Sequence, residues 1–115
     1  MMLTRLALGS KTAGQCGRVA GAELFFGTRF VQRESLGTLV SGLQFPFLKQ
    51  VHGSAVVQAS VKTLAPAPEA DGHWTEEPGL GLVIMTGDCL PVLFWAEEGG
   101  RRMVAAVHAG WRGLV

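Results

Sequence analysis

Apolar residues fall along the chain in short runs broken by glycines and polar clusters, a pattern of strands and tight turns rather than long helices. Residues 22–26 and 47–52 read as strands, and 55–61 alternates apolar and polar positions with the period of two of a half-buried strand. His52-Gly53-Ser54 joins the latter two as a tight turn. Further on, residues 80–85, 90–96 and 103–108 are three more apolar runs, the last two separated by the hairpin-like Glu97-Glu98-Gly99-Gly100-Arg101. Between the two groups, residues 63–78 carry Pro66, Pro68, Pro78 and four acidic residues and read as a long loop. One short helix is expected over residues 35–43, weakened by Gly37 and Gly42.

Composition narrows this picture. With 115 residues, 48% of them hydrophobic and 17% charged, the chain has enough apolar surface for one globular domain and too little charge for disorder. Ten basic and nine acidic residues are spread without blocks, giving a net charge of +1, so nucleic acid is not expected as a partner. The most apolar stretch, residues 79–96, is interrupted by Thr86, Gly87, Asp88 and Pro91, which suits two strands and a turn better than a membrane span. Arg5 and then Gly9-Ser10-Lys11 interrupt the N-terminus before any secretory apolar run, so a cytoplasmic location is expected. Two cysteines, Cys16 and Cys89, are too few for a disulfide scaffold, and Cys89 is expected to be a reduced thiol.

Three segments place a soft or imidazole ligand beside a glycine at an expected strand end: Lys49-Gln50-Val51-His52-Gly53, Thr86-Gly87-Asp88-Cys89-Leu90-Pro91, and His108-Ala109-Gly110-Trp111-Arg112-Gly113. Strand ends let a rigid sheet present side chains to a ligand, and glycines let a ligand approach the backbone. Two His and one Cys are a set used by catalytic zinc, which takes three protein ligands and keeps a fourth position open. The spacing does not decide the matter. His52 and Cys89 are 37 residues apart and Cys89 and His108 are 19 apart, unlike short ligand pairs. A Cys beside a strand also packs as a small hydrophobe, and a His in a turn also serves as a solvated hydrogen-bond partner, so both readings stay open at this point.

KQVHG, ADG, PGLGLVIMTGDCLPVLF and VAAVHAGWRG, in that order, resemble the motifs of the laccase-domain family. Members of this family are described as multicopper polyphenol oxidase-like proteins, purine nucleoside phosphorylases and peptidoglycan editing factors. The resemblance runs over about residues 25–115, and DCLPV followed by HAGWRG is its most specific part. It implies an α/β (α+β) fold of mixed sheets in a sandwich flanked by helices, similar to a group of cysteine hydrolases, and a zinc ion on His52, Cys89 and His108. It also implies a purine nucleoside phosphorylase acting on adenosine, inosine and methylthioadenosine, with adenosine deaminase side activity. Family members are longer, and Leu114-Val115 ends the sequence on an apolar run, so residues 1–115 are expected to be one laccase-like domain lacking its C-terminal side. The sequence departs from the family at Thr86-Gly87-Asp88-Cys89, where members read TADC, and around Phe26-Gly27-Thr28-Arg29, which leaves Arg29 without a firm role.

Further roles follow from residue chemistry beside these motifs. Asp88 is expected either to orient a ligand histidine or to form the turn. Arg112, flanked by glycine, suits bidentate phosphate binding, and Trp111 offers a flat face to a purine or packs in the core. Gln50 and Lys49 are candidates for polar substrate contacts, and His73 is expected on the loop surface. Cys89 as a nucleophile activated by a nearby His, in a peptidoglycan-precursor hydrolase, is the competing chemistry, and an inactive metal-binding chain is a third possibility. Cu2+ is less suited than Zn2+, because multicopper sites need more His ligands than the three histidines present.

Overall fold

The computed structural model describes residues 4–8, 11–19, 21–29, 31–87 and 89–110. They form a strand-rich α+β fold with two sheets, one of them mixed, and one short helix, in keeping with the fold class read from the sequence. The chain divides into two compact units, Met1–Gly42 and Leu43–Val115.

The first unit is an antiparallel meander of β1 (Thr4–Leu8), β2 (Lys11–Val19) and β3 (Ala22–Gly27). Only β3 is legible in the apolar pattern. Gly14 of β2 is required by packing, since a Cβ there would lie 2.2 Å from the Phe26 carbonyl oxygen. A 3-10 turn at Arg33–Ser35 runs into α1 (Leu36–Leu39), which buries Leu36. The helix is shorter than the expected 35–43, because the chain leaves it at Val40 in an extended conformation and Gly42 takes a φ of 82°.

The second unit is a four-stranded sheet in the order β4-β5-β7-β6, built from β4 (Val56–Gln58), β5 (Gly72–Thr75), β6 (Leu90–Glu98) and β7 (Arg101–Ala109). β4 and β5 are parallel, and the other pairs are antiparallel. The β6–β7 hairpin turns at Gly99-Gly100, with φ of 58° and 81°, the left-handed pair that a two-residue hairpin needs. Large residues on β6 face small or branched ones on β7, as in Phe94 opposite Ala105 and Trp95 opposite Val104.

Five expectations are corrected here. Residues 63–78 are not a continuous loop: they contain β5, which lies between β4 and β7 and is buried along most of its length. Residues 80–85 and 47–52 are not ladder strands; each makes only an isolated bridge, Leu80 to Gln44 and Lys49 to Glu69. The run 55–61 contributes only the three residues of β4 before a 3-10 turn at Val61–Thr63. His73, expected at the surface, lies in β5 and is 1% exposed.

The inside of this sheet is unusual in its chemistry. The largest fully buried side chains are His73, Thr75, Asp71 and Pro46, whereas the buried apolar residues are mostly alanines and leucines. Buried polar groups are retained only when they are partnered or when they serve a site. Gly72 makes room for this arrangement, since a Cβ there would come within 3.1 Å of both Val56 and Val107.

Candidate metal centre

Strand register brings three distant segments to one end of the second sheet. Gly72 pairs with Val107, so Asp71, one step earlier, stands opposite His108. Leu90 pairs with Ala109, so Cys89, one step before β6, stands opposite Gly110. β4 runs parallel to β5, with Val56 beside Gly72, so the residues just before β4 reach the same end, where the Asp71 N–H donates to the Ala55 carbonyl at 3.1 Å.

There His52, Cys89 and His108 place their ligand atoms within 4.8 Å of one another. His52 is exposed, Cys89 half-buried and His108 buried, so the group opens from the sheet end towards solvent. The two imidazoles meet edge to face, with ring centroids 5.0 Å apart and planes at 71°. Both cysteines are free thiols. Gly110 leaves the near side open, since a Cβ there would lie 3.5 Å from Cys89 Sγ, 3.8 Å from His52 Nδ1 and 4.0 Å from His108 Cε1.

Asp71 is the residue that sequence reasoning missed. It is 2% exposed, and its carboxylate accepts four hydrogen bonds. The Val51 and Gly53 N–H groups donate to Oδ1 at 3.0 and 2.9 Å, and the His52 N–H donates to Oδ2 at 3.0 Å. His108 Nδ1 lies 2.7 Å from Oδ2. Burial alone would raise this carboxyl's pKa, but the bonds from His108 and from the three backbone N–H groups outweigh it and hold the pKa near 2. The loop that Asp71 gathers contains His52 at a φ of 59°, left-handed backbone that a non-glycine residue adopts only when held there. An Asp-Gly pair inside a proline-rich acidic stretch reads as a turn, which is why Asp71 stood out only as part of the ADG motif.

The other residues singled out from the sequence lie as follows. Gln50 gives both ends of its carboxamide to Met85, donating to its carbonyl and accepting its N–H. Lys49 is exposed and pairs with Glu69 at 3.5 Å. Asp88, Trp111 and Arg112 lie outside the described residues. Thr86 donates its hydroxyl to the Cys89 carbonyl, closing the turn before β6. Among the described residues, no helix is long and apolar enough to cross a membrane.

Residues 30–115 match the family described as multi-copper polyphenol oxidoreductase laccase. Over 68 residues the chain is 50% identical to a purine nucleoside phosphorylase of Pseudomonas aeruginosa, a match covering 59% of this chain and 26% of that protein. It is 46% identical over 68 residues to the purine nucleoside phosphorylase YfiH of Escherichia coli, with 59% of this chain and 27% of the relative covered. Among solved structures, a Neisseria meningitidis protein superposes with a TM-score of 0.61 at 40% identity, over 71% of this chain and 32% of the other. YlmD from Geobacillus stearothermophilus superposes with a TM-score of 0.62 at 28% identity, over 70% and 33% respectively. The chain therefore spans about a quarter of the length of these curated relatives, 26% and 27%.

Proposed function

Because the chain belongs to the family described as multi-copper polyphenol oxidoreductase laccase, we propose that it carries the metal centre of a zinc-dependent purine nucleoside phosphorylase. The substrates in this reading are adenosine, inosine and methylthioadenosine, with adenosine deamination as a side activity. The observation that carries it is the convergence of His52, Cys89 and His108 within 4.8 Å from segments 37 and 19 residues apart. Three ligand-type side chains gathered around one glycine-lined opening suit a bound cation better than chance packing.

The donor set fits Zn2+. Two imidazole nitrogens and one thiolate leave a fourth position for substrate, and zinc accepts this mixture without a geometric preference of its own. Copper is the weaker reading, because His73 is not part of the group and a multicopper arrangement needs more imidazoles. When bound, the zinc supplies a Lewis acid at the reacting end of the substrate. In phosphorolysis a phosphate oxygen bonds to C1′ of the ribose as the bond to the purine nitrogen breaks, and the purine leaves with a proton. We assign phosphate binding to Arg112, purine stacking to Trp111 and orientation of a ligand histidine to Asp88. Gln50 is assigned a polar substrate contact through the second hydrogen of its amide, the first being donated to the Met85 carbonyl. Two unpaired cysteines are in keeping with a reducing compartment, which supports a cytoplasmic location.

One observation favours a second reading. Asp71, His108 and Cys89 follow one another as an orienting acid, a base and a thiol, with Asp71 Oδ2 and His108 Nδ1 2.7 Å apart. This suits a hydrolase that edits peptidoglycan precursors with Cys89 as nucleophile. The test is metal analysis and turnover by the protein that contains this sequence, with adenosine and phosphate. Adenine and ribose 1-phosphate in equal amounts, lost together with zinc in His108→Ala, support the phosphorylase. Zinc-free protein that hydrolyses peptide substrates and is silenced by alkylation of Cys89 supports the second reading. Metal binding with neither activity leaves a metal-binding chain alone.

A further inference from the structure

We propose that Asp71 is the positioning residue of the metal centre, setting the tautomer of His108 and the backbone of His52 before any metal arrives. This role rests on the metal reading above for its consequence, but its structural part concerns the metal-free chain. A single buried carboxylate bridges the two histidine segments: three consecutive N–H groups, of Val51, His52 and Gly53, donate to it from one side and His108 from the other. The main chain reinforces the bridge, since the His108 N–H donates to the Asp71 carbonyl at 2.7 Å.

The tautomer follows from proton counting. A carboxylate only accepts, so His108 Nδ1 must carry the proton in the 2.7 Å contact. That leaves the Nε2 lone pair free, and Nε2 is then the only ring nitrogen of His108 able to bind a cation. In water a neutral imidazole samples both tautomers, and the wrong one blocks the ligand atom with a proton. Asp71 removes that choice. It also holds the His52 backbone at a φ of 59°, so the same two oxygens fix the His108 ring and the main chain that carries His52.

Asp71→Asn separates this role from simple space-filling. The Asn oxygen belongs at the Oδ1 position, where it satisfies two N–H groups, Val51 and Gly53. Its amide NH2 then takes the Oδ2 position, where the His52 N–H loses its acceptor and His108 Nδ1 meets donor against donor unless His108 moves its proton to Nε2. The variant should therefore invert the tautomer while leaving the ring in place.

The experiment is nitrogen NMR of the full chain, reading which ring nitrogen of His108 is protonated, with Zn2+ and Co2+ titrated separately against a chelating indicator. The wild-type chain is expected to show Nδ1–H without metal. Asp71→Asn is expected to show Nε2–H and to bind Zn2+ roughly 10- to 100-fold more weakly. Asp71→Glu, which keeps the acceptor, should retain Nδ1–H. Nε2–H in the metal-free wild type overturns the proposal without any variant, as does unchanged tautomer and affinity in a folded Asp71→Asn. If the wild type shows Nδ1–H but binds no metal, the positioning role stands and the metal reading fails.

Discussion

The carboxamide of Gln50 pairs with the backbone of Met85 as a strand edge would: Nε2 donates to the Met85 carbonyl at 2.7 Å, and Oε1 accepts the Met85 N–H at 2.8 Å. Gln50 lies two residues before His52, and Met85 lies four before Cys89. The pair thus ties the segment bearing one candidate ligand to the segment bearing another, without a sheet ladder between them. Gln50→Leu, similar in size, removes both bonds and is expected to cost about 1 kcal/mol. Gln50→Glu keeps the acceptor for the Met85 N–H and loses the donor. Hydrogen exchange at the Met85 amide should accelerate in the Leu variant and stay slower in the Glu variant. Equal protection in wild type and Gln50→Leu would show that the pair does not hold the segment.

Gly110→Ala should separate folding from metal binding. The added Cβ would make only ordinary van der Waals contacts, 3.5 to 4.0 Å, so the chain has no steric reason to unfold. Those contacts are to Cys89, His52 and His108 together, so the methyl narrows the approach to the three candidate ligands. The expected result is an unfolding free energy within about 0.5 kcal/mol of wild type and weaker Zn2+ binding in a competition titration. Loss of stability with unchanged affinity would place Gly110 in the packing rather than in the site.

β6 is an edge strand of the second sheet and carries apolar side chains on both faces: Leu93 is 40% exposed and Phe94 53%. Long apolar edges of this kind template association. The 115-residue chain on its own is therefore expected to self-associate at micromolar concentration, with Leu93→Lys or Phe94→Lys shifting its sedimentation towards the 12.2 kDa monomer. A wild-type chain that sediments as a monomer under the same conditions overturns this expectation.

What the sequence revealed depended on whether a segment's chemistry matched its environment. The β6–β7 hairpin was legible because apolar runs flank Gly99-Gly100, a pair suited to a left-handed turn. β5 was not, because Gly72-His73-Trp74-Thr75 carries no apolar alternation and follows Asp71, so its burial comes from its neighbours in the sheet rather than from its own hydrophobicity. The same mismatch hid Asp71, whose partners lie 18 to 20 and 37 residues away. The ligand candidates His52, Cys89 and His108 were named from residue type and adjoining glycines, and the register then brought them together. Residues 80–85 misled in the opposite direction: an apolar run suggested a ladder strand, but its recorded bridge is Leu80 to Gln44.

The buried imidazole of His73 predicts an acid-sensitive fold. Pro46, Leu48, Val57, Ala59 and Pro68 line the space beside it, and the ring is 1% exposed. Burial lowers its pKa from 6.5 to about 4, with a smaller opposing pull from the Val83 backbone. The folded state therefore binds the proton less tightly than the unfolded chain does. Stability from this group is fully present above pH 6.5 and is lost as pH falls through 4, where the ring must charge inside an apolar wall. The span corresponds to roughly 3 kcal/mol once both states are protonated. Urea midpoints measured between pH 7 and 4 should fall more steeply for the wild type than for His73→Leu, and the difference between the two slopes isolates this residue from the other titrating groups. Parallel slopes would mean that His73 takes up its proton without cost and that the wall around it opens more readily than its burial implies.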